Sequence, residues 1–282
     1  MFWRLKDRTF DFSARGGVVM GILNCTRDSF SDGGQFFDPE AAVDHAPQME
    51  ADGAEIIDVG GESTRPGAQP VPEAEELRRV VPVIERLAGR LKAAISVDTF
   101  KAAVARAALD AGASILNDIT ALRGDPEMPR VAAETGAGVI LMHMQGEPRT
   151  MQAAPQYTDV VAEVRDFLRQ SAALALRWGI DPTRIALDPG PGFGKTVEHN
   201  VMLLRHVGEL GFPELPGRPM VWAVSRKRFM GTLIDDMALE QRFWPTVALT
   251  SLGRELGALV FRVHDVKANV EALRMTEAIL KS

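Results

Sequence analysis

Short apolar runs rich in Val, Ile, Leu and Met recur eight times along this chain, at residues 18–25, 54–61, 94–98, 114–118, 138–144, 185–188, 220–225 and 258–264. Amphipathic stretches at 39–51, 72–91, 101–111, 126–135, 158–178, 197–210 and 244–256 separate most of them, and another at 267–280 closes the chain. Strand-length runs alternating with helical-period segments describe helices packed around a parallel sheet. Eight such units over about 250 residues fit a closed α/β fold, the (β/α)8 TIM barrel, better than an open doubly wound sheet. Two helical stretches open Asp-Pro-Glu, at Asp38 and Asp125, which reads as an N-cap followed by proline in the first turn. Pro47 is expected to kink or shorten the first helix. The Pro- and Gly-rich patches at 66–72, 190–194 and 213–219 are too short to link domains, so residues 1–282 are expected to form a single domain.

Composition removes several function classes. At 46% hydrophobic and 25% charged residues the chain matches ordinary soluble proteins, not disordered or fibrous ones. Its 32 Lys and Arg against 38 Asp and Glu give a net charge of −6, with no basic block to suit nucleic acid. One cysteine, Cys25, rules out a disulfide framework and a multi-thiolate zinc site. The first twelve residues carry charges instead of a signal-peptide core, and no apolar run approaches the roughly 18 residues of a membrane span. A cytoplasmic protein with no membrane partner is expected.

In a βα barrel the site lies at the C-terminal strand ends. The polar residues there are Asn24; Glu62, Ser63, Thr64 and Arg65; Asp98; Asn117 and Asp118; His143 and Gln145; Asp188; Ser225, Arg226 and Lys227; and Arg262, His264 and Asp265. Any one of them could be a cap or turn former, but every strand supplies at least one. The chain has no Gly-x-Ser-x-Gly elbow and no His-Glu-x-x-His helix. A phosphate-loop reading of residues 188–196 fails because Pro189 stands where the first glycine belongs. What remains is a set of carboxylates and amides (Asp98, Asn117, Asp188) beside a cationic set (Arg65, Lys227, Arg262, His264). Carboxylates accept paired hydrogen bonds from a cyclic amidine, and arginines suit phosphate. The residues therefore suggest a planar amino-heterocycle that carries or sheds a phosphate.

The segments Met20-Gly-Ile-Leu-Asn24, Asp28-Ser-Phe-Ser-Asp-Gly-Gly34, Asp58-Val-Gly-Gly-Glu-Ser-Thr-Arg-Pro-Gly67, Ser96-Val-Asp-Thr99, Asn117-Asp-Ile119, Met142-His-Met-Gln-Gly146, Asp188-Pro-Gly190, Gly192-Phe-Gly-Lys195, Ser225-Arg-Lys227 and Arg262-Val-His-Asp265 follow one another along nearly the whole chain. In this order they resemble the dihydropteroate synthase family. The resemblance implies a barrel, usually homodimeric, that joins 6-hydroxymethyl-7,8-dihydropterin diphosphate to p-aminobenzoate, releases pyrophosphate and needs Mg2+. It also implies roles. Asp98, Asn117 and Asp188 would bind the pterin, with Lys227 reaching the ring and Met142 and Ile119 on its faces. Asn24, Arg262 and His264 would hold the diphosphate, and Asn24 would help place the metal. Phe30, Thr64, Arg65, Pro66, Phe193 and Ser225 would shape the p-aminobenzoate site. Lys227, Arg262, His264 and Asp98 are the catalytic candidates.

Plainer readings stand beside these. Asp98-Thr99 also reads as a helix cap, Met142 and Ile119 equally as core, Asn24 as a turn residue and His143 as a structural histidine; His45, His199 and His206 read as surface. The chain departs from the family pattern at Cys25, Arg27, Pro191 and Ala223, where Val, Pro, Phe and Gly are usual. Arg27 adds a cation and removes a proline restraint beside the expected anion site, and the Ala223 methyl could crowd the pterin. Cys25 reads as buried and inert. A pterin-dependent methyltransferase and a non-catalytic pterin-binding paralogue are the competing functions.

Overall fold

The computed structural model describes residues 1–26, 39–65 and 67–282. Phe30, Pro66 and Arg27 lie outside them, as does the Asp38 cap. All eight apolar runs form strands: β3 (Val18–Asn24), β4 (Ile56–Gly60), β5 (Ala94–Asp98), β6 (Ile115–Asp118), β7 (Gly138–Met142), β8 (Ile185–Asp188), β9 (Val221–Trp222) and β10 (Val260–Val263), preceded by β1 (Phe2–Arg4) and β2 (Thr9–Asp11). The eight are parallel in the order β8-β7-β6-β5-β4-β3-β10-β9. A parallel bridge between Leu187 and Met220, with Leu187 N donating to Pro219 O at 3.0 Å, brings the two ends of the sheet together. Helices lie between the strands, so the eight-unit barrel expected from the period is the observed fold.

Two apolar layers hold it. Inward side chains of alternate strand residues join a cluster that also contains Trp3, Leu5, Phe10 and Phe12. Outward side chains pack against the helices in a larger cluster that includes buried Cys25. The aromatic contribution to the inner layer comes from the antiparallel β1–β2 hairpin, in register Trp3↔Phe10, and from Phe12 just after it; together they plug the N-terminal end of the barrel. Trp3 is fully buried, and its indole N–H donates to Arg184 O at 2.8 Å. The hairpin packs so closely that a Cβ on Gly138 would fall 2.5 Å from Leu5. Strands of three residues between charges carry too short an alternation to be read from the sequence.

Other local readings needed correction. Of the kink or shortening expected at Pro47, shortening does not occur: the helix Pro39–Ala51 runs through it. Asp125 does not start its helix, which spans Met128–Thr135; its carboxylate instead accepts from Glu127 N at 3.0 Å and from Ala102 N at 2.9 Å. One acid thus orders its own turn and the first turn of the neighbouring helix, Ala102–Asp110. The segment after Lys227 forms a short helix, Arg228–Leu233, that the apolar period did not reveal. Among the described residues no helix is long and apolar enough to cross a membrane.

Candidate active site

Strand alternation sends every second side chain into the barrel. Met20, Ile56, Ala94, Ile115, Ile140, Ala186, Ala223 and Val260 belong to the inner cluster. Steps of two from these reach Asn24, Asp58, Asp98, Asn117, Met142, Asp188, Ser225, Arg262 and His264 at the C-terminal end. The strand register therefore brings together residues from across the chain, with Asn24 beside Gly60, Gly60 beside Asp98 and Asp98 beside Asn117. Ile119 and Met142 are both buried at this end.

The centre is a charged lattice. Arg262 Nε donates to Asp58 Oδ2 at 2.6 Å and its Nη2 to Asp98 Oδ2 at 2.6 Å. Asn117 Nδ2 donates to the same Asp58 oxygen at 3.1 Å. Asp58 is fully buried, and its Oδ1 has no hydrogen-bond partner among the described residues. Burial pushes Asp98 up to about 7, with Arg262 pulling against it and Asp58 adding repulsion. Burial opposes the charge on Arg262, yet the two aspartates hold its pKa above the ordinary arginine value. Asp98 caps no helix: Thr99 Oγ1, not Asp98, accepts from Lys101 N at 3.3 Å.

Across the mouth, burial raises Asp188 while Lys227 opposes the shift. Lys227 is brought down to about 8 by burial, with Asp188 acting against it. Its Nζ donates to Pro191 O and lies 4.7 Å from the centre of the Phe193 ring. Asp188 Oδ1 accepts from Gly190 N at 2.7 Å, which fixes the carboxylate. Gly190 has φ +62°, and a Cβ there would meet His143 O at 1.9 Å, so only glycine fits.

Lys227 and Ser225 belong to a turn in which Lys227 N bonds Val224 O at 3.1 Å and Arg226 takes φ +56°. This left-handed arginine is held from outside by Asp265, with Nε to Oδ2 at 2.9 Å, and by Thr246 Oγ1. Arg226 thus points away while Ser225 and Lys227 face in. Ser225 Oγ accepts from His264 N at 3.1 Å and meets His264 Nδ1 at 2.9 Å. Burial and then the nearby cations Arg262, Arg226, Arg65 and Lys227 lower His264 to about 3, so its ring is neutral at pH 7. With the Ser225 hydroxyl donating to Nδ1, the ring proton sits on Nε2 as a donor.

Thr64 and Arg65 follow β4, Thr64 half-buried and Arg65 exposed. Their loop is anchored by Lys101, whose Nζ bonds Glu62, Glu76 and Val71 O, and by Arg79 Nη1 on Gly61 O at 2.9 Å. Cys25 is fully buried, and burial lifts its thiol to about 12, in keeping with an inert residue. His143 is a buried structural histidine, lowered to about 2 chiefly by burial. His199 is half-buried in a capping box with Thr196, not a plain surface residue.

Sequence reasoning did not single out Asp58 or the Lys195–His143 pair. A charged residue inside the otherwise apolar strand Ile56–Gly60 was the available signal for Asp58. Lys195 gave none, because a lysine after a Gly-rich loop reads as solvent-exposed.

A (β/α)8 barrel whose mouth gathers buried carboxylates, an amide and cations has the form of an enzyme that binds a polar small molecule. Residues 20–264 match the family model described as pterin binding enzyme. The chain is 47% identical over 264 residues to the dihydropteroate synthase of Escherichia coli, covering 94% of this chain and 92% of that one. It is 45% identical to that of Synechocystis, over 96% and 92% of the two chains. The Yersinia pestis dihydropteroate synthase, solved with a sulfonamide drug complex, superposes with a TM-score of 0.92 at 44% identity, each chain covered completely. The chain belongs to the pterin-binding enzyme family, among its dihydropteroate synthases.

Proposed function

We propose that the mouth of this barrel joins a dihydropterin diphosphate to p-aminobenzoate and releases pyrophosphate, the transferase activity of the dihydropteroate synthases. What carries the reading is the convergence of Asp98, Asn117 and Asp188 with Lys227 and Arg262 at one end of the lumen. Related structures support the substrates: one from Xanthomonas albilineans contains 4-aminobenzoic acid, at 46% identity, a TM-score of 0.91 and complete coverage of both chains.

In this reading Asp98 and Asp188 accept the pterin's ring and amino N–H groups, Asn117 adds an amide, and Lys227 donates to the ring. Met142 and Ile119 pack on its faces. Arg262, the neutral His264 and Asn24 receive the diphosphate. Asn24 offers the hard carbonyl oxygen that Mg2+ prefers, and substrate phosphate oxygens can complete its shell. The bound metal would offset charge on the departing diphosphate.

The pterin-bearing carbon can lose diphosphate to leave a cation delocalised over the ring, so no enzyme nucleophile is needed. Residues of this chain hold the leaving anion and keep the aryl amine in line for attack. Phe193, Ser225, Thr64 and Arg65 border the amine, and solvent accepts its proton.

A homodimer is supported by Trp244 and Leu252 on helix Phe243–Glu255 and by Met275 and Ile279 on helix Val266–Leu280, large apolar side chains exposed on two packed helices. Residues 1–282 acting as one cytoplasmic domain complete the reading. The test is mass-spectrometric detection of dihydropteroate and pyrophosphate from purified protein, Mg2+, the pterin diphosphate and p-aminobenzoate. Product that vanishes without Mg2+ and in Lys227→Ala is expected; no product from protein that still binds the pterin would overturn it.

A further inference from the structure

Residues 190–193 form a tight turn with Pro191 second and Gly192 third at φ +82°, closed by Phe193 N donating to Gly190 O at 3.1 Å. This is the pattern of a type II turn. Lys195 folds back beneath it. Its Nζ lies 2.9 Å from Gly190 O, 3.0 Å from Phe193 O and 2.8 Å from His143 Nδ1. The side chain therefore grips both ends of the turn and ties it to the end of β7. Pro191 O and the Phe193 ring, on the turn itself, are the two groups that meet Lys227.

We propose that Lys195 is a positioning residue for the amine-binding half of the site, holding the 190–193 turn so that the Phe193 ring keeps its place at the mouth. The proposal rests on the reading that Phe193 borders the p-aminobenzoate site.

The chemistry suits an uncharged amine. Lys195 is almost wholly buried, and among the described residues no carboxylate hydrogen-bonds it. A neutral amine has two N–H donors for the two carbonyls and one lone pair for His143 Nδ1–H. That satisfies every polar atom without burying an unpaired charge. Other carbonyls of the segment are held separately, Gly192 O by Gln152 and Gly194 O by Tyr157 Oη at 2.8 Å. Lys195 is distinguished by bonding the carbonyls of the turn's first and last residues, Gly190 and Phe193.

The test is a kinetic cycle of Lys195→Met, Phe193→Ala and the double variant, with KM measured for both substrates. Lys195→Met is expected to raise the KM for p-aminobenzoate about tenfold, with that for the pterin diphosphate changed less than about threefold. In the double variant the p-aminobenzoate KM should match Phe193→Ala alone, because one residue acts through the other. Lys195→Gln, whose amide can donate to the carbonyls and accept from His143, should recover part of the loss. Lys195→Arg, which forces a charge into the same space, should not.

Additive effects in the cycle, or equal rises in both KM values, would overturn the positioning role while leaving the amine site intact. An unchanged p-aminobenzoate KM in Phe193→Ala would overturn the amine-site reading instead. Loss of cooperative melting in both Lys195→Met and Lys195→Gln would assign the residue to folding and overturn the proposal as well.

Discussion

Arg262 Nη2 and Asp98 Oδ2 stand 2.6 Å apart although 164 residues separate them in the chain. This ion pair joins the last strand of the barrel to the third of its eight, and Asp58 shares the same guanidinium at 2.6 Å. The arginine is thus both a candidate ligand for the diphosphate and the counter-charge of two buried acids.

That double duty makes Arg262→Ala more damaging than its place in the site alone would suggest. Removing one partner of a buried ion pair leaves the other charge uncompensated, at a cost of about 3 kcal/mol or more. The variant should lose most turnover and also unfold at lower denaturant concentration. Lys227→Ala should lose turnover with its unfolding free energy within about 1 kcal/mol of the parent, because among the described residues its Nζ hydrogen-bonds a carbonyl and closes no direct ion pair. Equal midpoints for parent and Arg262→Ala would remove the structural half of this assignment.

The activity should pass through a maximum near neutral pH. Asp98 sits at about 7 and must be ionised to accept the pterin's N–H groups, so kcat/KM for the pterin should fall about tenfold per pH unit below that value. Lys227 sits at about 8 and offers its positive charge, with the stronger charge-assisted hydrogen bond, only while protonated, so the profile should fall again above it. Lys227→Met should remove the alkaline limb and Asp98→Asn the acidic one; a profile flat from pH 6 to 9 would contradict both assignments. For stability the sign is opposite to the acidic limb. A carboxyl raised in the folded state binds its proton more tightly there, so its contribution is complete below about pH 4 and is lost as pH rises through 7.

Most of the barrel and much of its mouth were legible in the sequence, and the reasons are local. Ala94-Ile-Ser-Val-Asp98 announces a strand by its alternation and, by ending in a carboxylate, announces the end where the polar residues gather. The same reading could not see Asp58 as the hub, because its importance depends on Arg262, 204 residues away. Nor could it see the Lys195–His143 pair, which exists only once the β8 loop folds under the end of β7. The β1–β2 hairpin escaped because its apolar face, Trp3 and Phe10, matters only against the open end of a finished barrel. Local pattern reveals elements, whereas long-range partners are revealed by the closed sheet.

The hairpin offers a separation of stability from chemistry. Trp3→Ala should cost about 3–5 kcal/mol by opening a cavity in the inner layer, and Trp3→Phe less, with loss of the bond to Arg184 O. The active mouth lies at the opposite end of the strands. At a temperature where both variants remain folded, kcat/KM should therefore stay within about twofold of the parent. A large kinetic loss without unfolding would mean that the plug sets the geometry of the mouth.

Gly190 and Gly179 separate backbone strain from steric collision. Both have positive φ, +62° and +83°, but a Cβ on Gly190 would meet His143 O at 1.9 Å, whereas nothing lies within 4 Å of one on Gly179. Gly179→Ala should therefore cost only the left-handed backbone penalty of about 1–2 kcal/mol, seen as a small fall in Tm with activity unchanged. Gly190→Ala pays that penalty and must also move the β8 loop off His143. The shift takes Gly190 N away from Asp188 Oδ1 and frees the carboxylate that it orients. Pterin affinity, measured by calorimetry, should fall at least about tenfold in Gly190→Ala and stay level in Gly179→Ala. Equal effects of the two substitutions on affinity would mean that the close packing of the loop against His143 does not orient Asp188.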